Sequence, residues 1–292
     1  MSSIAPWTVG RLLQWTTDYL KSHGSESPRL DAEVLLAAAL KCQRIELYTE
    51  FNNEPSEEVR AAFKELVRRR AEGTPVAYLV GHREFYSLEF RVTPDVLIPR
   101  PETELLVIAL LDRAKARPVG EKLTIADVGT GSGIIAVCAA KHLPGCLVTA
   151  IDINPAALMV AKTNAKMHGV SSRIEFIHSN LFAAVPRDSK YDFIISNPPY
   201  VASGDLQALA SDVKNHEPHD ALVAGERGTE VIEVLIRQSA ERLNSGGYLL
   251  VEISPMIHDQ VLALLEAETP LELLPTIKDL ARLPRVVQAR RK

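Results

Sequence analysis

The stretch Leu123–Leu143, LTIADVGTGSGIIAVCAAKHL, decides the fold. Leu123 to Val128 is a short apolar run with strand character, and Gly129-Thr130-Gly131-Ser132-Gly133 follows at once. An apolar helical run, Ile134 to Leu143, comes next. Strand, glycine loop and helix in that order make a nucleotide-type site. Glycine lets backbone approach a ligand, and a helix N-terminus offers N–H groups that lack intrahelical partners. The spacing is G-x-G-x-G and not the dinucleotide G-x-G-x-x-G, because position 134 is isoleucine. That difference points away from NAD and toward a cofactor without a pyrophosphate.

Working outward, Cys146 to Ile151 reads as a second strand, ending in Asp152. A carboxylate about twenty residues past such a loop can accept hydrogen bonds from both hydroxyls of a ribose. The lesser alternative is a helix-capping or loop carboxylate, since Asn154-Pro155 then opens a helix as N-cap and first-turn proline. A third apolar run, Tyr191–Tyr200 (YDFIISNPPY), stops abruptly in Asn197-Pro198-Pro199-Tyr200. Two prolines cannot continue a sheet ladder, so the chain leaves the sheet there in a stiff, preset shape.

That bend suits a flat, weakly nucleophilic NH2 group. In an amide or aromatic amine the nitrogen lone pair is delocalised, so it attacks electrophiles poorly. Acceptors on its two N–H bonds return electron density and aim the lone pair. The Asn197 side-chain oxygen and the Pro198 carbonyl are such acceptors, and the Tyr200 ring can lie against the group's flat face. In isolation N-P-P-Y is also what a proline-rich turn closed by a tyrosine looks like. The glycine loop, the acid and N-P-P-Y, each at a strand's carboxyl end, select the functional reading, because open α/β sheets bind ligands along that edge.

The rest of the chain divides in two. Trp7 to Lys21, Leu30 to Lys41 and Pro55 to Arg70 have helical periodicity and define a small helical domain over residues 1–75. Leu30, Val34, Leu35 and Ala38 form one apolar face, and Trp7, Trp15 and Tyr19 at helical spacing read as core. Arg68-Arg69-Arg70 reads as a solvated helix end, where cations favour the dipole. Residues 76–98 form a linker, with an alternating, aromatic β-hairpin pattern from Arg83 to Val92. Residues 99–292 open with a helix from Pro101-Glu102 and then alternate strands and helices, the pattern of a mostly parallel sheet covered on both faces. Leu271 to Ile277 and Pro284 to Ala289 read as the last two strands.

Composition bounds the function. With 46% apolar and 24% charged residues in 292, the chain is an ordinary globular protein. Its net charge of −4 gives no overall pull toward nucleic acid. Three scattered cysteines, Cys42, Cys138 and Cys146, have no metal spacing and fit a reducing compartment, with Cys138 packed in the core. His216 and His219 stand three apart without a third ligand, so no metal is expected. No signal peptide or membrane-length apolar run is present in the sequence, and a cytoplasmic location is expected.

These motifs resemble the class I S-adenosylmethionine-dependent methyltransferases that act on conjugated NH2 groups, and within them the HemK-like release-factor glutamine methyltransferase family. The likeness extends to Thr74–Phe90 (TPVAYLVGHREFYSLEF), Val96–Glu104 (VLIPRPETE), Glu217–Leu222 (EPHDAL) and Gly246–Ile253 (GGYLLVEI). The resemblance implies an α/β, Rossmann-like, seven-stranded and mostly parallel methyltransferase domain, preceded by a helical substrate-docking domain and a β-hairpin linker. It implies S-adenosylmethionine as methyl donor and the glutamine of the Gly-Gly-Gln loop of peptide chain release factors as acceptor, with N5-methylglutamine as product. On the same basis Gly129, Thr130, Gly131, Ser132 and Gly133 cradle the cofactor, Asp152 holds its ribose, and Asn180 and Leu181 flank its adenine. Arg100, Glu102 and Thr103 close over its methionine end, and Asn197, Pro198, Pro199 and Tyr200 grip the glutamine amide.

Three positions depart from the family pattern: Asn180 replaces a usual acid, Ser254 a usual glycine and Arg282 another. Two other acceptors carry similar chemistry. One is the N6 amine of adenine in DNA or RNA, which would call for phosphate contacts or extrusion of the base; the other is a glutamine of a ribosomal protein. A cofactor-binding scaffold without activity is a third reading, disfavoured by the intact N-P-P-Y. With no extra target-recognition domain, no direct nucleic-acid partner and no membrane partner are expected.

Overall fold

In the computed structural model, residues 6–118 and 120–292 are described. The first five residues of the expected helical domain lie outside them. The chain forms two compact units: one runs to His82 and takes in Ala210–His216, and the other holds Arg83–Leu209 and Glu217–Lys292.

The first unit is helical. Its helices span Val9–Ser22, Pro28–Leu40, Glu46–Thr49, Glu57–Ala71 and Val76–Val80. Thr8 caps the first by accepting from the Arg11 N–H at 3.3 Å, and Ser56 caps the fourth through Val59. Val9, Leu13, Leu20, Leu35, Leu36, Leu47, Phe63 and Val67 make the core. Two sequence expectations are corrected here. Helix Pro28–Leu40 packs against three of the others, so it is buried over a wide arc of Ala32, Leu35, Leu36 and Ala37, while Leu30 is exposed. Of the three aromatic residues, Trp7 and Tyr19 pack against this core as expected, and Trp15 does not. They stand one turn or two apart beside the buried stripe, with Trp15 49% exposed, stacked on Tyr19 at 5.0 Å and edge-on to Trp7 at 6.3 Å. The arginine run is also more than a solvated helix end. Arg70 donates to Asp31, 39 residues away, at 2.7 Å with both side chains largely buried, and Arg68 bridges Glu65 and Glu72.

The second unit opens with the hairpin β1 (His82–Phe85) and β2 (Leu88–Arg91), His82 being the last residue of the first unit. Then come β3 (Thr124–Val128), β4 (Leu147–Asp152), β5 (Ile174–His178), β6 (Tyr191–Ser196), the short pair β7 (Val201–Ala202) and β8 (Val223–Gly225), β9 (Leu243–Glu252), β10 (Leu271–Lys278) and β11 (Pro284–Arg291). Seven strands form one sheet in the order β10-β11-β9-β6-β3-β4-β5. Only β11 runs against its neighbours. Alternation along each strand loads both faces. Ile125, Val148, Phe193, Ile195 and Leu250 face the helices Glu104–Lys115 and Ile134–His142, whereas Ala126, Ile151, Ile194, Leu249 and Val251 face Glu230–Arg242 and His258–Ala267. Cys138 is fully buried on the first of these faces, as expected. Arg282 stands at φ +64° in the turn before β11, a left-handed position that favours glycine. None of the helices among the described residues is long and apolar enough to cross a membrane.

The topology places a switch point at the centre. From β3 the chain builds outward through β4 and β5, then returns to lay β6 on the other side of β3. Polar pins hold this seam at both ends. At the amino end Asp192 accepts from the Thr124 N–H (2.9 Å), the Thr124 hydroxyl (3.0 Å), Asn244 Nδ2 (2.9 Å) and Arg117 Nη2 (3.1 Å), tying β3, β6 and β9 together. At the carboxyl end the Ser196 hydroxyl donates to the Val128 carbonyl at 2.6 Å.

Burial raises the pKa of Asp192, but its four donors outweigh that and hold it below the usual 3.8. A depressed carboxylate stabilises the fold above its unfolded pKa and loses that contribution as pH falls through its folded value. Asp192→Ala should therefore lower the unfolding free energy of this unit by about 2–3 kcal/mol at pH 7. In urea titrations at several pH values, the gap from the parent protein should narrow below pH 3.8.

Candidate active site

A cavity of about 330 Å³ opens along the carboxyl ends of β3, β4 and β6, within the size range of ligand pockets. The glycine loop forms one wall. Its shape comes from β4: the N–H groups of Gly129 and Thr130 both donate to the Ile151 carbonyl, at 2.8 and 2.9 Å. Gly133 ends the loop at φ +82°, where an added Cβ would meet the Cβ of Ala161 at 3.0 Å, so only glycine lets the following helix seat so closely. Beneath the loop, the fully buried Asp127 accepts from the Thr130 hydroxyl (2.6 Å) and the Ala136 N–H (3.0 Å). Burial pushes its carboxyl up to about 7, and its other oxygen has no partner among the described residues. Asn164, also fully buried, donates to the carbonyls of Ser132 and Arg91 and accepts from the Arg91 N–H, lashing the loop to the hairpin.

Asp152 stands at the end of β4 with each oxygen already taking one backbone N–H, from Gly131 and from Asn154, both at 2.8 Å. A carboxylate has about four lone-pair sites, so two acceptor directions remain for a ligand. Burial raises its pKa against those two hydrogen bonds. The capping reading and the ligand reading are thus compatible: the acid is held by the loop and also lines the cavity.

The structure brings Gly129, Thr130, Gly131, Ser132, Asp152, Asn180, Leu181, Arg100, Thr103, Asn197 and Pro199 together around this one cavity. Gly133, Glu102, Pro198 and Tyr200 are not part of its lining. Gly133 is spent on helix packing, and Glu102 turns toward Arg285, 3.8 Å away. Pro198 is buried in the bend. Tyr200 packs against the apolar face that carries Ala126 and Ile194, where burial pushes its hydroxyl up to about 12. The bend itself is backed by Gly228 at φ +79°, where a Cβ would come within 2.7 Å of the Tyr200 carbonyl.

Several lining or supporting residues escaped the sequence reading. Asp95, Leu97, Pro218 and Asp220 border the cavity. Arg100 donates to Glu217 at 2.6 Å, joining VLIPRPETE to EPHDAL, a link that the 117-residue separation hides. Glu252, at the end of β9, is 3% exposed, and burial pushes it up to about 7. A charged residue closing an apolar strand was the available signal. Among the described residues no group of three or more metal-ligating side chains gathers.

Comparison with known proteins identifies the family. Residues 11–81 match the family model described as PrmC N-terminal domain, and residues 102–216 match the one described as Methyltransferase small domain. A protein of Rhodopirellula baltica named release factor glutamine methyltransferase is 50% identical, over 98% of this chain and 97% of its own length. One of the same name from Koribacter versatilis is 41% identical over 94% and 95%. Among solved structures, the hMettl16 catalytic domain in complex with MAT2A 3′UTR hairpin 6 is similar in fold, at a TM-score of 0.55 and 19% identity, covering 78% of this chain and 82% of that one. At full-length identities of this order, the chain belongs to the release factor glutamine methyltransferase family and is a methyltransferase.

Proposed function

We propose that this enzyme moves a methyl group from S-adenosylmethionine to the side-chain amide nitrogen of the glutamine in the Gly-Gly-Gln loop of peptide chain release factors. The observation that carries the reading is the juxtaposition of Asn197 with the glycine loop. Asn197 and Pro199 line the same cavity as Gly129, Gly131 and Asp152, because β6 and β3 end side by side. The curated relatives' names support the acceptor.

The residues fit the cofactor. Gly129 and Gly131 line the cavity at φ +74° and +55°, left-handed positions that favour glycine. Asp152 has acceptor capacity left for two ribose hydroxyls, and Asn180 and Leu181 offer a polar edge and an apolar face for adenine. Arg100 and Thr103 border the end we assign to the methionine portion. When bound, the cofactor supplies a methyl on a positively charged sulfur, which is a good leaving group and needs no metal.

The protein's own work is placement. Asn197 Oδ1 and the Pro198 carbonyl accept from the two N–H bonds of the glutamine amide and aim its lone pair. Positioning of this kind is worth roughly 7–11 kcal/mol in well-oriented systems. As the nitrogen becomes cationic, the same acceptors stabilise the charge better than reorganising water does. The proton then leaves readily to water or to a backbone acceptor, so no strong base is required. The packing of Tyr200 against the core gives it the role of bracing the bend. The helical unit is the docking surface for the protein substrate, and neither nucleic acid nor membrane enters the scheme; the setting is the cytoplasm, where release factors act.

The test is incubation with methyl-labelled cofactor and purified release factor, its Gln-to-Asn variant, or duplex DNA. Label should enter only the parent factor; label in DNA and not in the factor would overturn the reading. Asn197→Ala should lower turnover by about 10²–10³-fold, with the cofactor dissociation constant changed far less. Asp152→Ala should weaken cofactor binding about 10- to 100-fold by calorimetry, the scale of a charge-assisted hydrogen bond. An unchanged constant would remove Asp152 from the ribose site.

A further inference from the structure

The turn between β10 and β11 puts apolar side chains into solvent. Leu280 at its apex is fully exposed, and Leu283 is 43% exposed. Met256, 81% exposed, belongs to the same corner. The Ile253 N–H donates to the Arg285 carbonyl at 2.8 Å, so the chain leaving β9 runs beside the chain entering β11. Apolar residues exposed singly are ordinary, but a group of them at one corner marks a contact surface. The turn is also rigid. Asp279 takes the Leu283 N–H on Oδ1 at 2.9 Å and Arg285 Nε on Oδ2 at 2.8 Å, and its carbonyl takes the Arg282 N–H at 2.9 Å. Lys278 and Arg282 flank the apex, both exposed, whereas Asp279 is engaged by Arg285. The corner thus offers an apolar centre with a cationic rim.

Its place in the sheet says what meets it. β6 and β9 are parallel and β11 is antiparallel to them, so β11 begins along the edge where β6 gives way to Asn197. Two strand spacings separate β6 from β11, about 10 Å. Side chains span that interval. Arg285 Nη2 lies 3.8 Å from Glu102, and the next residue, Thr103, lines the cavity and accepts from Asn197 Nδ2 at 3.2 Å. A protein whose glutamine enters the cavity must cover the surface around the mouth. A standard interface takes about 800 Å² from each partner, a disc of roughly 16 Å radius. A footprint of that size centred on the cavity reaches this corner.

We propose that Leu280, Met256 and Leu283 form a docking surface on the methyltransferase unit for the release factor. They receive an apolar patch rimmed by carboxylates on the body of the factor, outside its Gly-Gly-Gln loop. The inference rests on the substrate proposed above and adds a place where that substrate is gripped. Because the turn is already fixed, binding there costs little ordering on the enzyme's side. A second copy of this chain is the other occupant that an exposed apolar corner would suit, and the test separates the two.

The experiment uses the full-length enzyme, the double variant Met256→Ser, Leu280→Ser and the double variant Lys278→Glu, Arg282→Glu. Methylation of purified release factor is followed at steady state, and calorimetry measures binding of the factor to each enzyme loaded with S-adenosylhomocysteine. Sedimentation gives the oligomeric state. We expect the serine variant to raise the factor's KM and dissociation constant about 10- to 100-fold, with kcat at saturating factor and the cofactor dissociation constant unchanged. The charge-reversed variant should also bind the factor more weakly, and its binding should lose part of the parent's salt dependence. Unchanged factor affinity in either variant would overturn the proposal, and so would a change confined to the oligomeric state, which gives the corner to a second copy. A parent enzyme that leaves the factor unlabelled removes the substrate assignment and the docking with it. A parent that labels the factor, beside variants that bind it equally well, removes only the docking.

Discussion

Val128 and Ser196 are neighbours in two parallel strands, and the Ser196 hydroxyl closes on the Val128 carbonyl. Everything functional depends on that adjacency. Neighbouring strands lie about 4.8 Å apart, so the glycine loop leaving β3 and the Asn197 bend leaving β6 start within one strand spacing of each other. A cofactor cradled by one and an amide held by the other are close from the outset. One residue of slip between β3 and β6 would separate the loops and also turn Phe193, Ile194 and Ile195 to the wrong faces. The register is accordingly over-determined, by apolar residues on both faces and by Asp192 pinning three strands at the opposite end.

The site is held together by buried acids that face different donors. Asp152 takes two backbone N–H groups and retains capacity for a ligand; Asp127 supports the loop from below; Glu252 is buried at the end of β9. Desolvation raises all three. Each is tolerated because the groups around it are fixed by backbone or by tight packing. Such acids lend the cavity a definite pattern of donors and acceptors, which a purely apolar pocket would lack.

The parts of this structure written in consecutive residues were legible in advance. The strand–glycine loop–helix at 123–143, Asp152 at a strand end and the proline-stopped strand before Asn197 each announce themselves locally, and alternating strands and helices imply the sheet. What escaped depends on partners far along the chain. Asp192 finds Thr124 across 68 residues, Asn164 finds Arg91 across 73, and Arg100 finds Glu217 across 117. Helical spacing also misled at Leu30 and at Trp15, because periodicity shows that a face exists and not which neighbour covers it. Tyr200, whose ring chemistry suggests contact with substrate, is half-buried against the core and outside the cavity lining, a position set by the bend and not by the ring.

The central claim is that Asn197 presents an oxygen to a flat amide beside the cofactor. A crystal structure of the enzyme with S-adenosylhomocysteine and a peptide carrying Gly-Gly-Gln tests it most directly. The account predicts the glutamine amide nitrogen within hydrogen-bonding distance of Asn197 Oδ1 and the Pro198 carbonyl, with Asn197 Nδ2 still on Thr103. A glutamine bound away from this bend, or an Asn197 turned to offer its nitrogen, would contradict it.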